Sequence, residues 1–221
     1  MNPDLFVIFS GGKFELRKGQ DLVLRAVKVL QQKFNDVVLI NAWYNGWVNT
    51  MTSMHSSPHI KYVYQGKDWV QVMNSIYLIN GLDVNRIITL PLVQNEEMRG
   101  IYSQTNVGLF PNRCEGGTNL VLMEYMACGK PAIASFNTGH RDILNPGNSI
   151  LLNDMKEFKL FDSDKNLIAD WEEPDFNEII SKLEYAYFNR DEIQMIGQRA
   201  AQDMKSYTWE KTAENLLKMI K

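Results

Sequence analysis

The sequence predicts a doubly wound α/β fold, in which helices cover both faces of a parallel β-sheet. Three observations lead to this prediction. Short aliphatic runs alternate along the chain with longer segments of helical periodicity. The short runs are apolar throughout, which is typical of parallel strands buried on both faces. The 221 residues are 45% hydrophobic and 22% charged, a composition that favours a folded globular protein and excludes a disordered chain.

The predicted elements follow one another in strand–helix order. The predicted strands cover residues 5–9, 37–42, 86–90, 107–110, 131–134 and 150–152. The helices predicted between them cover residues 19–34, 69–81, 96–104 and 118–128, with a short helical turn near residues 140–144. From Pro174 onward the pattern is helical, and the last helix carries Trp209, Leu216 and Ile220 on one face. We therefore predict a single domain over residues 1–221, with an α/β core over about 1–173 and a helical tail over 174–221.

Two segments do not follow the alternating pattern. The polar stretch over residues 153–173 is interpreted as a surface excursion before the tail. Three aromatic residues, Trp43, Tyr44 and Trp47, follow the second predicted strand. Ligands of open α/β sheets bind at the carboxyl ends of strands, so stacking of these rings on a sugar or a base is one interpretation. The interpretation that the sequence favours is that the rings cover the edge of the sheet.

Charge and cysteine content exclude several classes of function. The formal net charge of −3 gives no sequence-independent attraction to nucleic acid or to anionic lipid. Cys114 and Cys128 have no CxxC or histidine-spaced partner, which favours a reduced cytoplasmic protein without a metal site. No run approaches the ~18 apolar residues that span a bilayer. We expect a cytoplasmic protein with neither a nucleic-acid partner nor a transmembrane segment.

The first candidate site follows the first predicted strand. Residues 10–21 read SGGKFELRKGQD, so two glycines permit a tight turn and three cations, Lys13, Arg17 and Lys18, follow before a helix begins. A cationic loop at a helix N-terminus is suited to binding an anion. The spacing matches neither GxGxxG nor GxxxxGK[ST], which excludes the usual dinucleotide and P-loop motifs. From this segment alone, a solvated basic loop is the favoured alternative.

The second candidate site follows the fourth predicted strand. Residues 111–131 read PNRCEGGTNLVLMEYMACGKP, in which Gly116 and Gly117 allow close approach of a ligand and Thr118 or Asn119 can cap the following helix. That helix is apolar except for Glu124. Burying an unpaired carboxylate costs several kcal/mol, so Glu124 needs donors. Sugar hydroxyls and an internal Lys or Arg are the two alternatives, and a phosphate at the helix N-terminus with a ribose at Glu124 fits a single ligand.

With these motifs the chain resembles the C-terminal, donor-binding domain of retaining GT-B glycosyltransferases of family four. GKFELRKG, residues 12–19, is similar to the G-R-(four residues)-K-G loop of that family. EGGTNLVLMEYMACGKPAIAS, residues 115–135, resembles its E-(seven residues)-E motif and the strand that follows. YTWEKTAENLLKMI, residues 207–220, resembles its closing helix. The resemblance implies a Rossmann-like domain that binds a nucleotide-diphosphate sugar as substrate, with no cofactor.

The resemblance also implies roles for individual residues. Lys13 and Lys18 would neutralise the donor diphosphate as it becomes a leaving group, without a metal ion, and Glu115 would touch the transferred sugar. Glu124 would bind the ribose, and the backbone near Val93 would meet the base. The remaining implied contacts are backbone contacts to the donor phosphates, made around Gly12, Gly116, Gly117, Thr118, Asn119 and Leu120.

The chain departs from the family pattern in four ways. Eight residues, not seven, separate Glu115 from Glu124, and Lys13 takes the place of an arginine. The aromatic residues at 43–47 replace a glycine pair. The fourth departure is that the family's preceding acceptor-binding domain is absent from the chain. We therefore expect half of a glycosyltransferase. A missing domain or a separate partner subunit would supply the acceptor-binding half, and through that half the protein could also attach peripherally to a membrane.

Two other classes of function stay open from the sequence. A non-catalytic interaction module would keep the fold and use its final helix to bind a partner subunit. A sugar-nucleotide epimerase or a phosphorylase would use the same fold with different chemistry.

Overall fold

The computed structural model describes residues 4–220 and confirms the parallel sheet. All neighbouring strands of the main sheet are parallel, in the order β3-β2-β1-β4-β5-β6. Each strand lies close to its predicted position. A run that is apolar throughout buries both of its faces when it forms a strand of a sheet that helices cover on both sides. The strands are β1 (Phe6–Gly11), β2 (Val37–Ala42), β3 (Ile87–Thr89), β4 (Val107–Phe110), β5 (Ala132–Ser135) and β6 (Ile150–Leu152).

Helices cover both faces of this sheet and divide the core into two clusters of buried side chains. Helices α1, α3 and α6 contribute to one cluster, α4 and α5 to the other, and α7 to both. The first helix after β1 and the first helix after β4 therefore lie on opposite faces. The helices are α1 (Gln20–Lys33), α2 (Val48–Met51), α3 (Trp69–Ile79), α4 (Asn95–Ser103), α5 (Leu120–Ala127), α6 (Phe176–Phe188), α7 (Arg190–Met204) and α8 (Trp209–Ile220).

The polar stretch before the tail is a folded arm, which corrects its interpretation as a surface excursion. Strands β7 (Met155–Phe161) and β8 (Leu167–Pro174) form an antiparallel hairpin. Ala169, Trp171 and Glu173 on β8 are partly buried, whereas the residues between them are exposed. This two-residue alternation is a strand signal, but the charged residues on the outer face conceal it.

The three helices after the hairpin lie within the stretch predicted to be helical. Asp175 caps α6 by accepting hydrogen bonds from the backbone nitrogens of Asn177 (2.8 Å) and Glu178 (3.2 Å). Helix α8 differs from α6 and α7 in that none of its side chains is buried. Within residues 4–220, no helix has the length and apolar character needed to cross a membrane.

The aromatic residues after β2 divide between two environments. Trp43 is fully buried and packs against Phe14, with ring centroids 5.8 Å apart. Trp43 therefore covers the sheet, as the favoured interpretation expected. Tyr44 and Trp47 are 41% and 65% exposed, so that interpretation is wrong for these two rings.

One fully buried arginine joins three separate parts of the fold. Arg113 follows β4, and its guanidinium makes two hydrogen bonds to Asp21 of α1, at 2.9 and 2.7 Å. The same group makes two hydrogen bonds to Glu173 of β8, at 2.8 and 2.6 Å, and another to the carbonyl oxygen of Leu16. Arg113 thereby holds the start of α1, the hairpin and the loop after β4 together.

The two carboxylates bound by Arg113 have further partners. The hydroxyl of Ser57 donates to Asp21 (2.6 Å), and Nε2 of His59 lies 3.0 Å from Glu173. Burial alone would raise the pKa of Asp21, but the positive charge of Arg113 outweighs burial and lowers it. Both carboxylates are therefore ionised at neutral pH, and the cluster depends on the arginine for its charge balance.

We predict that Arg113→Met lowers the free energy of unfolding by about 3–5 kcal/mol, because Asp21 would be left buried without a counter-charge. Urea denaturation followed by circular dichroism measures this loss. The matched control is Arg141→Met, because Arg141 is exposed and its nitrogen lies 3.7 Å from Glu172. That exposed pair contributes no more than about 1 kcal/mol. Equal losses in the two variants would contradict the role given to Arg113.

Candidate functional site

The two candidate sites meet at the carboxyl ends of β1 and β4. These strands are neighbours, with Ile8 opposite Val107, and the helices that follow them diverge to opposite faces. Such a divergence opens a crevice at the edge of the sheet, where ligands of open α/β proteins bind. The two loops touch directly, because the backbone nitrogen of Arg113 donates to the carbonyl of Arg17 at 2.9 Å. The two loops that carry most of the sequence-predicted residues therefore meet at one crevice.

Two glycines set the backbone around this crevice. Gly19 has a φ of 73°, and a Cβ there would lie 2.0 Å from the carbonyl oxygen of Pro111. A Cβ on Gly139 would lie 1.7 Å from the carbonyl oxygen of Gly117. A side chain at either position would push two loops apart, so the shape of the site depends on both glycines.

Helix α5 begins at the floor of the crevice. Asn119 precedes its first residue, Leu120, and the Asn119 side chain accepts a hydrogen bond from the backbone nitrogen of Leu122 (3.4 Å). Asn119 is therefore the cap, whereas the Thr118 hydroxyl contacts the sulfur of Met123 at 3.1 Å. The remaining N–H groups of the first turn have no partner inside the helix and give this end a partial positive charge.

The space in front of this helix end is open. Gly116 and Gly117 are exposed, and a Cβ built on either would meet no atom within 4 Å. The backbone at these two positions is therefore open to solvent.

A buried histidine behind the helix end holds the cap in place. Nδ1 of His140 lies 3.0 Å from the carbonyl oxygen of Ser135, and Nε2 lies 3.2 Å from Nδ2 of Asn119. A carbonyl only accepts, so the proton is on Nδ1 and Nε2 accepts from Asn119. Burial lowers the pKa of His140 to about 4, which keeps the ring neutral. No sequence pattern indicates this role, because Asn119 lies 21 positions earlier in the chain.

Glu115 binds two of the three cations in the loop after β1. Its carboxylate accepts hydrogen bonds from Lys18 Nζ (2.5 Å), Arg17 Nη1 (3.0 Å) and Asn112 Nδ2 (2.7 Å). Arg17 also pairs with Glu15 at 2.8 Å. Burial alone would raise the pKa of Glu115, but the ion pair with Lys18 outweighs it and lowers the pKa. The structure thus brings Lys18 and Glu115 together, and it places Arg17, the other cation of the predicted anion-binding loop, on the same carboxylate.

Lys13 has a different environment from the other two cations. It follows Gly12, which has a φ of 111°, and its side chain is exposed. Its Nζ lies 4.7 Å from the centroid of the Trp47 ring. Within residues 4–220 it forms no ion pair.

The structure also brings Glu124 close to the loop that follows β3. Glu124 is half-buried on α5 and accepts a long hydrogen bond, 3.4 Å, from Nδ2 of Asn95 at the start of α4. Val93 is half-buried two residues before Asn95. Burial first, and then the charge of Glu124, raise the pKa of Tyr102. The internal Lys or Arg partner considered for Glu124 does not occur among the described residues; its partners there are the Asn95 amide and the Tyr102 hydroxyl.

Fold and site together define a Rossmann-like α/β domain with a cationic loop facing a helix N-terminus. The family model of Glycosyl transferases group 1 matches residues 5–169, and the chain belongs to this family. Its structural neighbours are GT-B glycosyltransferases, which confirms the expected fold. No curated protein sequence matches the chain.

Several solved structures share the fold at low sequence identity. Sucrose-phosphate synthase from Thermosynechococcus elongatus is 16% identical with a TM-score of 0.69, over 100% of this chain and 46% of that one. The C-terminal domain of the glycosyl transferase LpcC from Francisella tularensis is 16% identical with a TM-score of 0.61, over 91% and 85%. Anabaena HepE in complex with UDP-glucose is 16% identical with a TM-score of 0.61, over 92% and 44%. The chain thus spans about half the length of the sucrose-phosphate synthase and of HepE.

We predict that folding stability falls as the pH drops from 6.5 to about 4, because His140 is protonated in the unfolded chain over this range but stays neutral when folded. This contribution is complete above pH 6.5, and its loss amounts to about 3 kcal/mol by pH 4. The free energy of unfolding, measured by urea titration at several pH values, tests this. His140→Gln flattens the dependence, whereas His55→Gln, at an exposed histidine, leaves it unchanged. An unchanged slope in His140→Gln would refute the assignment.

Proposed function

We propose that this chain binds the nucleotide-sugar donor of a retaining glycosyltransferase and stabilises the diphosphate leaving group without a metal ion. The observation that carries the proposal is that the N-terminus of α5 and the cationic loop of Lys13 and Lys18 border one crevice. Membership of the family Glycosyl transferases group 1 supports it. The likeness to HepE, solved in complex with UDP-glucose, supports the choice of a nucleotide sugar.

The charge distribution in the crevice favours a diphosphate. Lys13, Arg17 and Lys18 carry three positive charges, and Glu15 and Glu115 carry two negative charges, which leaves one net positive charge at the loop. The partial positive charge of the α5 N-terminus adds to it. Backbone N–H groups around Thr118, Asn119 and Leu120 would hold the phosphates, and their preorganisation avoids a reorganisation cost when charge develops on the leaving group.

The other parts of the donor have candidate partners on either side of the phosphates. Glu124 would accept hydrogen bonds from the ribose hydroxyls, and the backbone at Val93 would meet the base; the contact between Asn95 and Glu124 supports placing these groups side by side. Glu115 would contact the transferred sugar, with its carboxylate oriented by Lys18, Arg17 and Asn112.

The acceptor side of the reaction is proposed to come from a second domain or a separate subunit. The coverage of 46% of the sucrose-phosphate synthase chain supports a division of the site between two domains. The exposed apolar face of α8, formed by residues such as Trp209 (85% exposed), supports a docking role for this helix. The same face favours the second candidate function, a non-catalytic module that binds a partner subunit.

We predict that one member of a panel of UDP-, GDP- and ADP-sugars binds to the chain, as measured by isothermal calorimetry. Glu124→Gln weakens that binding about 10-fold, because charge-assisted hydrogen bonds to the ribose are replaced by weaker neutral ones. Glu97→Gln, at an exposed carboxylate on α4, is the matched control and leaves binding unchanged. Equal affinity in the wild type and Glu124→Gln would refute the ribose assignment. Binding of no nucleotide, together with a co-purifying partner, would favour the interaction module.

We predict that Lys13→Ala and Lys18→Ala each weaken the binding of the nucleoside diphosphate about 10-fold and leave the nucleoside unaffected, because only the diphosphate carries the charge that these lysines neutralise. Lys33→Ala at the far end of α1 serves as the control for removing a lysine. The phosphate role would be wrong if nucleoside and diphosphate lost affinity equally.

A further inference from the structure

The three cations of the loop differ in the protein group that each one contacts, and therefore in the free-energy cost of binding a ligand. Lys18 and Arg17 share the carboxylate of Glu115, which is 8% exposed. Withdrawing either cation would leave a buried carboxylate short of donors, which is costly. Lys13 is paired with the neutral ring of Trp47 instead. An ammonium over a ring keeps N–H donors for a ligand, so Lys13 can bind a phosphate without giving up its partner.

Hydrogen bonds to the backbone hold both of the segments that carry Lys13 and Trp47 in place. The buried side chain of Asn45 donates to the carbonyl of Phe14 (3.0 Å) and accepts from the backbone nitrogen of Trp47 (2.9 Å). On the other side, Nε2 of Gln20 donates to the carbonyl of Lys13 at 2.7 Å. The side-chain amide of Asn45 therefore connects the backbone of Trp47 to that of Phe14, the residue after Lys13. This connection keeps the indole, which is 65% exposed, within reach of the lysine side chain.

We propose that Trp47 is a positioning residue for Lys13. Its ring face holds the ammonium group at the edge of the crevice, and the ammonium donates to the donor diphosphate while it stays over the ring. This inference rests on the proposed function, because it needs a diphosphate in the crevice. A lysine has a flexible four-carbon chain and lacks the planar fork of arginine, so restraint by a ring lowers the entropy lost when the phosphate binds.

In this role Trp47 affects the affinity for the ligand only through Lys13. Loss of the ring should then weaken the binding of a nucleoside diphosphate about two- to five-fold, the low end of the range expected when binding must restrain one more long side chain. The nucleoside without phosphates should be unaffected. A ring that stacked directly on the base would instead affect both ligands.

A double-mutant cycle tests this coupling. Kd values for a nucleoside diphosphate and its nucleoside are measured for the wild type, Trp47→Leu, Lys13→Met and the double variant. We expect Trp47→Leu to weaken diphosphate binding in the wild-type background and to have no effect in the Lys13→Met background. Trp47→Phe should retain most of the affinity, and Tyr44→Leu, at a neighbouring exposed ring without a cation, should retain all of it.

Equal losses from Trp47→Leu in both backgrounds, or an equal loss for the nucleoside, would overturn the inference while leaving the proposed function in place. Failure of the wild type to bind any nucleotide would overturn the proposed function and the inference with it.

The contact itself has a readout that needs no ligand. In the free chain the indole ring current should shift the Cε protons of Lys13 upfield, and Trp47→Leu should abolish this shift in a ¹H–¹³C spectrum. Addition of the nucleoside diphosphate to the wild type should leave the shift in place, because the ammonium stays over the ring while it binds the phosphate. A Lys13 resonance that does not respond to the substitution, or a ring-current shift that disappears when the ligand binds, would overturn the inference.

Discussion

The buried contact between Arg113 and its two carboxylates determines the shape of the crevice. A guanidinium without solvent is tolerated only when its donors are occupied, and Arg113 fills them with Asp21, Glu173 and the carbonyl of Leu16. Leu16 lies between Lys13 and Lys18, so the arginine after β4 fixes the conformation of the cationic loop after β1. The hairpin, which lies outside the main sheet, belongs to the same arrangement because it supplies Glu173.

The site built on this support keeps two kinds of positive charge. Lys18 and Arg17 both pair with Glu115, so they maintain the geometry of the loop and would act on a diphosphate through their charge while they keep that carboxylate as partner. Lys13 and the N-terminus of α5 carry charge without a carboxylate partner among the described residues. Preorganised cations of this second kind are the ones that an anionic ligand gains from directly, because no internal ion pair has to break.

The sequence predicts the main sheet and the position of the crevice well, because both follow from local patterns. Apolar runs identify the strands, and glycines with cations or a cap residue mark the ends of β1 and β4. The supporting contacts are not local. Arg113 and Asp21 are 92 positions apart, and Arg113 and Glu173 are 60 positions apart, so no window of sequence contains the pair. The sequence also does not predict that Trp43 is buried whereas Trp47 is exposed, although the two residues are only four positions apart. The difference depends on which side of the loop faces Phe14.

Two departures from the family pattern meet in a single contact. The lysine at position 13 stands where the resemblance implies an arginine, and the tryptophan at position 47 lies in the segment that replaces a glycine pair. Taken alone, the lysine gives up the rigid, two-pronged geometry with which arginine binds phosphate. A glycine pair offers no surface to restrain a flexible ammonium, whereas an indole fixed through Asn45 does. On the proposed role of Trp47, the second departure would offset part of what the first one loses, and the two positions would act together on a bound phosphate.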